Sequence, residues 1–188
     1  MNAQQFEIEG PLELSPRIHS DDRGYFLETF NATAIEALGI VEKHWVQDNQ
    51  SFSKSIYTLR GMHFQTAPFA QAKIIRVLRG SIFDAVVDLR IGSTTFGKWL
   101  GVTLSATKMN QFYIPTGFAH GFLTLENDVE VAYKVSELYS KDHDRSLNWS
   151  DPDIAINWPM PKGIIPHLSE KDEKAPRLQK LSADLNQQ

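Results

Sequence analysis

Residues 111–135 read Gln111-Phe112-Tyr113-Ile114-Pro115-Thr116-Gly117-Phe118-Ala119-His120-Gly121-Phe122-Leu123-Thr124-Leu125-Glu126-Asn127-Asp128-Val129-Glu130-Val131-Ala132-Tyr133-Lys134-Val135. Three β-prone runs, Gln111–Ile114, 121–125 and Val129–Val135, are separated by the turn-forming groups Pro115-Thr116-Gly117 and Glu126-Asn127-Asp128. Similar runs lie upstream at 25–30, 73–78, 82–89 and 98–104, divided by Arg79-Gly80 and Gly92-Ser93. Many short strands at close spacing predict an all-β sandwich or barrel rather than alternating βαβ units. One early helix is expected over residues 32–38, capped by Asn31 and ended by Gly39. After Asp151 the chain becomes Pro-rich (Pro152, Pro159, Pro161, Pro166, Pro176), which predicts an irregular wrap with a short final helix around a single domain spanning 1–188.

The composition narrows the function. With 188 residues, 41% hydrophobic and 22% charged, the chain has an ordinary globular balance and enough length for a substantial core. A formal net charge of −4 argues against broad nucleic-acid binding, although a few Arg and Lys suffice to hold a small anion. Cysteine is absent, which excludes disulfides, thiolate catalysis and Cys-based metal sites. No stretch approaches eighteen apolar residues, so no membrane-spanning helix is expected. Residues 1–14 lack the cationic start and apolar run of a secretory signal, and the expectation is a cytoplasmic protein.

Several segments carry groups capable of chemistry. If Leu59-Arg60-Gly61-Met62-His63-Phe64-Gln65 is a strand, His63 and Gln65 share one face, with Met62 and Phe64 on the other. A metal-binding β-barrel often presents two His at such alternate positions; Gln65 is a poor transition-metal ligand. A lone His is more often a surface or satisfied core residue, but Arg60 makes this strand unusually polar. His120 lies between Ala119 and Gly121, where close approach of a ligand or another backbone is possible; a tight corner with the ring on a carbonyl is an equal account. In Val129–Val135, Tyr133 shares a face with Val129, Val131 and Val135, which suits either a core phenol with a buried partner or a proton donor in a pocket. Lys73 reads first as an exposed strand end. Asp84 and Asp88 flank Val86 on one strand face, and inward carboxylates there require partners such as His or Arg. Asp21-Asp22-Arg23-Gly24 and Gln47-Asp48-Asn49-Gln50 read as loops. No Walker or dinucleotide Gly-rich cradle and no GxSxG signature occurs, so phosphate would be held by side chains such as Arg23, Arg60 and Lys73.

These segments, with Asp22-Arg23-Gly24-Tyr25-Phe26-Leu27-Glu28, Gln47-Asp48-Asn49-Gln50-Ser51, Thr95-Phe96-Gly97-Lys98-Trp99 and Leu168-Ser169-Glu170-Lys171-Asp172, closely resemble the dTDP-4-dehydrorhamnose 3,5-epimerase family in type and order over nearly the whole chain. The resemblance implies a cupin-type double-stranded β-helix, or jelly roll, with a few short peripheral helices. It also implies a homodimer acting on a dTDP-linked 4-keto-6-deoxyhexose in dTDP-L-rhamnose synthesis, with no metal or other cofactor. By that resemblance His63 is the general base, Asp172 its carboxylate partner, Tyr133 the proton donor on the opposite side of the sugar, and Lys73 the cation near the C4 oxygen. Arg23, Phe26, Glu28, Gln47, Asn49, Arg60, His120, Asp144 and Lys171 fall at positions that bind nucleotide, diphosphate or sugar. The chain departs from the family's common pattern at Ala72, Ser81 and Ala85-Val86, without removing a chemical group.

Such residues suit inversion at carbons 3 and 5, which both flank a C4 ketone. A neutral imidazole takes the proton, a carboxylate fixes its tautomer, and a cation steadies the enolate. A second group must return the proton from the other face. A family member inverting only one centre, a metal-dependent cupin dioxygenase and a non-catalytic sugar-nucleotide binding module are the rival readings.

Overall fold

A computed structural model describes residues 1–181 and 185. In chain order the strands are β1 (Asn2–Gln4), β2 (Leu12–Ser15), β3 (Ile18–Asp21), β4 (Gly24–Leu27), β5 (Gln47–Ser53), β6 (Leu59–Gln65), β7 (Lys73–Arg79), β8 (Ser81–Asp88), β9 (Trp99–Ser105), β10 (Gln111–Ile114), β11 (Phe118–Thr124), β12 (Val129–Val135) and β13 (Asp144–Ser146). Helix α1 covers Ala32–Glu36, helix α2 covers Glu170–Glu173, and a 3₁₀ turn covers Leu178–Lys180.

Two antiparallel sheets carry the fold. One has the order β1-β2-β10-β7-β12-β5, the other β13-β6-β11-β8-β9. The chain crosses between them from β5 to β6, β6 to β7, β7 to β8, β9 to β10, β10 to β11, β11 to β12 and β12 to β13, which is the winding of a jelly roll. Alternation along each strand sends one side-chain set between the sheets. There Ile75, Val77, Phe112, Val129 and Val131 of the first sheet meet Ile82, Val86, Val102, Leu104 and Phe122 of the second. Each fully buried side chain of this kind contributes about 1.5–3 kcal/mol. The outer face of the six-stranded sheet is covered near α1 by Ile35 and Ile40, which cluster with Leu12, Leu14, Ile74 and Tyr113 of its strands. The outer face of the five-stranded sheet is covered by the chain after residue 151, through Ile154, Trp158 and Leu181 packed on Met62, Phe64, Val87 and Leu123.

Several expectations are met closely. The strands at Gln111–Ile114 and Val129–Val135 have the expected bounds. Asn31 does cap α1, its side chain accepting from the Ala34 amide at 3.1 Å, but the helix stops at Glu36. The run expected at 25–30 narrows to Gly24–Leu27 in a small hairpin with β3. Residues 47–50, expected as a loop, belong to β5, because their backbone pairs in register with β12 from Asn49↔Tyr133 to Gln47↔Val135. Polar side chains are tolerated there because β5 lies at a sheet edge. The inward carboxylates find the two partner types expected: Asp84 bonds His120, and Asp88 bonds Arg90. Burial opposes ionisation of Asp88, but hydrogen bonds from Arg90, Ser93 and Thr95 outweigh it and hold the carboxyl at about 2.

Strands β6 and β11 approach so closely at Gly61 and Gly121 that neither has room for a side chain. A Cβ on Gly61 would lie 2.6 Å from the Gly121 Cα and 2.7 Å from the His120 carbonyl, and Gly61 has φ +121°. Gly61→Ala is therefore expected to destabilise by at least about 2 kcal/mol, through overpacking and backbone strain together. A urea-unfolding midpoint equal to the parent's would contradict this account of the strand contact.

Candidate active site

The close approach of β6 and β11 sets His63 directly across from His120 in the strand register. Side chains so paired share one face of the sheet. Met62 and Phe64 pack on the opposite side, in the cluster beneath the C-terminal wrap, as the alternation of this segment predicts. His63 and His120 thus open toward the space between the sheets, where a cavity of about 400 Å³ forms. Its lining brings together His63, Arg60, Lys73, His120, Tyr133, Asp144, Lys171 and Asp172. Eight of the residues expected from sequence therefore converge on one cavity, drawn from β6, β7, β11, β12, β13 and α2.

His63 Nε2 lies 2.6 Å from Asp172 Oδ1. With the Nε2 proton donated to this carboxylate, Nδ1 is left with the ring's free lone pair. Asp172 is 3% exposed, so its partners matter. Its backbone amide donates to Ser169 Oγ at 3.2 Å, fixing the start of α2, and the Gly61 amide donates to its carboxylate. Burial alone would raise the Asp172 carboxyl; the hydrogen bonds from His63 and these neighbours prevail and keep it below its ordinary range. The ring is therefore backed by an ionised acid.

A second histidine–carboxylate pair lies behind the first. His120 Nε2 is 2.9 Å from Asp84 Oδ1, and both residues are buried. Burial lowers His120 and raises Asp84, each shift working against the attraction between them. Asp84 Oδ2 is buried and lacks a hydrogen-bond partner among the described residues. Sequence reading recognised Asp84 as an inward acid in need of a partner but did not place it behind the site.

Lys73 departs from the exposed strand end expected of it: it is half-buried at the start of β7 and lines the cavity. Burial pulls its ammonium down to about 8, only partly offset by the charges of Asp144 and Asp84. No hydrogen bond or ion pair engages it among the described residues, so the charge is available to a ligand. Tyr133 packs by its ring against the inter-sheet core, while its hydroxyl has no protein partner among the described residues. Burial raises its phenol, against the influence of Arg60, so the group enters chemistry as a proton donor. His63 and Tyr133 come from opposing sheets.

At the mouth, Asp144 pairs with Lys171 and accepts from the Tyr139 hydroxyl at 3.2 Å. Arg60 donates to Ser53 Oγ at 3.1 Å and the Phe52 carbonyl at 3.0 Å, which fixes its guanidinium over the β5 edge. Other expected binders lie apart from this cavity. Arg23, Phe26 and Glu28 sit on or just after the β3–β4 hairpin; Arg23 engages Asp21, and Phe26 is 67% exposed. Gln47 and Asn49 bond one another at 2.6 Å on β5, with Asn49 lining a separate groove on the same sheet. Gln65, Gln71, Ser51, Tyr139 and Ser169 line the cavity without having been singled out as functional. Gln65 alone was visible in the sequence, from its shared face with His63. Among the described residues no three of His, Asp and Glu converge as a metal-ligand set.

The family model described as dTDP-4-dehydrorhamnose 3,5-epimerase matches residues 5–180. A dTDP-4-dehydrorhamnose 3,5-epimerase of Sinorhizobium fredii is 47% identical over 178 residues, covering 95% of this chain and 90% of the relative. The crystal structure of the Bacillus anthracis enzyme of that name, with TDP and PPi bound, superposes with a TM-score of 0.90 at 45% identity, covering 94% of this chain and 99% of the other. A 3,5-epimerase from Legionella pneumophila in complex with dTDP-4-keto-L-rhamnose also gives 0.90, at 41% identity, covering 98% and 96% of the two chains. The jelly roll, the paired histidines and these likenesses agree: the chain belongs to the dTDP-4-dehydrorhamnose 3,5-epimerase family.

Proposed function

We propose that the protein inverts carbons 3 and 5 of dTDP-4-dehydro-6-deoxy-D-glucose, giving dTDP-4-dehydro-L-rhamnose by acid–base proton transfer. The observation carrying this reading is that an acid-backed imidazole and a phenol, from opposing sheets, line one cavity with an ammonium, the phenol hydroxyl and the ammonium having no partner among the described residues. His63 Nδ1 takes the proton from the carbon beside the ketone, and the electron pair moves onto the C4 oxygen. Lys73 stabilises that enolate, a contribution of about 10²–10³-fold for a preorganised donor. Tyr133 protonates the opposite face, leaving imidazolium and phenolate, which reset by exchange with water in the open cavity. Base and acid on two sides explain inversion, because a single base returns the proton it removed. Action in the cytoplasm belongs to the same reading.

The reading includes a second copy of the chain. Phe26 and Arg23 are exposed on the β3–β4 hairpin and do not line their own cavity, while the outer face of the six-stranded sheet carries a groove lined by Phe30, Ile74, Leu78 and Ala132. Exchange of hairpins in a homodimer supplies each cavity with the missing nucleotide-binding groups.

Run in heavy water and followed by proton NMR, the parent enzyme should label carbons 3 and 5. His63→Ala should abolish labelling at both, a loss of about 10²-fold or more for a general base, whereas Tyr133→Phe should reduce net inversion more than proton removal. Retained labelling at either carbon in His63→Ala would mean that another base acts. Because the Lys73 charge disappears as pH rises through about 8, kcat/KM should fall on that alkaline side, and Lys73→Arg, which stays charged, should move the fall to higher pH. An alkaline limb indifferent to that substitution removes Lys73 from the role. Sedimentation should report a dimer, and Phe26→Ala should raise KM about tenfold at unchanged folding, the scale of losing a stacking contact. A monomer with full activity would contradict the shared site.

A further inference from the structure

On the same strand face as His63, two residues on, Gln65 occupies the position where a metal-binding barrel would place a second ligand. Its carboxamide is fully committed elsewhere. Nε2 donates to the Phe69 carbonyl at 2.7 Å and the Leu138 carbonyl at 3.1 Å, and Oε1 accepts from the Ser140 amide at 2.7 Å. The side chain is 7% exposed, so all three bonds form out of water, where an unmade bond is costly.

The groups it grips belong to two segments at the cavity rim, residues 66–72 and 136–143. Gln71, another cavity-lining carboxamide, repeats the grip by donating to the Glu137 carbonyl at 2.6 Å. The segments are tied again where Ser136 Oγ accepts from the Ala72 amide at 2.9 Å and the His143 carbonyl accepts from the Thr66 amide at 3.0 Å. Apolar packing does little to hold 136–143 in place: Leu138 is 54% exposed and Tyr139 63% exposed. The segment contains no helix or strand. Its place is therefore set largely by hydrogen bonds, three of which are made by the side-chain amides of Gln65 and Gln71. Tyr139, within it, bonds Asp144, which follows its end, and Asp144 pairs with Lys171, the neighbour of Asp172.

We propose that Gln65 is a positioning residue that fixes the 136–143 rim over the cavity, and so governs retention of the nucleotide-linked sugar without touching the reacting carbons. The proposal rests on the epimerase reading of this cavity. It accounts for a carboxamide at that position: one donor–acceptor group satisfies two carbonyls and an amide at once, which neither imidazole nor carboxylate does.

Gln65→Met keeps the length and removes all three bonds; Gln65→Glu keeps the acceptor for Ser140 and loses both donors. In each variant KM for dTDP-4-dehydro-6-deoxy-D-glucose should rise about tenfold or more while kcat changes by less than about threefold, the scale expected for broken buried hydrogen bonds. The Ser140 amide should exchange with solvent faster in Gln65→Met. Gln71→Ala, which removes a single bond, should give the same pattern about threefold, and serves if Gln65→Met does not fold. A folded variant with parental KM, or a Ser140 amide as protected as before, overturns the proposal, and so does a fall in thermal stability with KM unmoved. Binding of dTDP alone, measured by calorimetry on the same proteins, separates the two ideas. A parent that binds dTDP but leaves the sugar unlabelled refutes the epimerase reading, while weaker dTDP binding in Gln65→Met still upholds the clamp.

Discussion

Two carboxylates, Asp84 and Asp172, are buried inside an apolar sandwich, and each is tied to one imidazole. Burying an acid is costly unless a partner is held to it. That requirement explains much of the surrounding structure. Gly61 and Gly121 let β6 and β11 close until His63 and His120 stand side by side. Ser169 starts the short turn that presents Asp172, and Gly61 adds a backbone donor. The strand contact, the helix cap and the buried acids form one arrangement, in which displacement of any member exposes an uncompensated charge to a low-dielectric interior.

The two pairs differ in ways that suit different work. His63 keeps 32% of its side chain open to the cavity, whereas His120 is nearly closed off. Asp172 lies below its ordinary range because donors surround it; Asp84 lies above its range because burial prevails and one oxygen goes unsatisfied. An ionised partner behind an accessible ring favours taking a proton. A closed pair with little net charge favours holding a shape and a dipole. Lys73 stands near the His120–Asp84 pair, with its own charge weakened by burial.

Much of this was legible in the chain. Period-two runs between Pro, Gly and Asn gave β10 and β12 to the residue, and the Asn31 cap was visible from its side-chain chemistry. Alternation at 62–65 correctly separated His63 from Met62 and Phe64. Polar edge strands were not legible: nothing in Gln47-Asp48-Asn49-Gln50 distinguishes a loop from a strand whose exposed edge tolerates such residues. Nor does local pattern join His63 to Asp172, which are 109 positions apart; only the family resemblance suggested that pair. The pattern shows Gln65 only as a poor metal ligand, whereas two of its three contacts lie in a loop 73 to 75 residues away, beyond any periodicity.

The reach from His63 to Asp172 also bears on how the protein comes into being. On a ribosome, β6 emerges long before β11, and α2 emerges last of all these parts. Until that late turn docks, the imidazole has no acid behind it, and the wrap that shields Met62 and Phe64 is missing too. The histidine–carboxylate pair is therefore completed only when α2 docks, after every strand of the two sheets has been made.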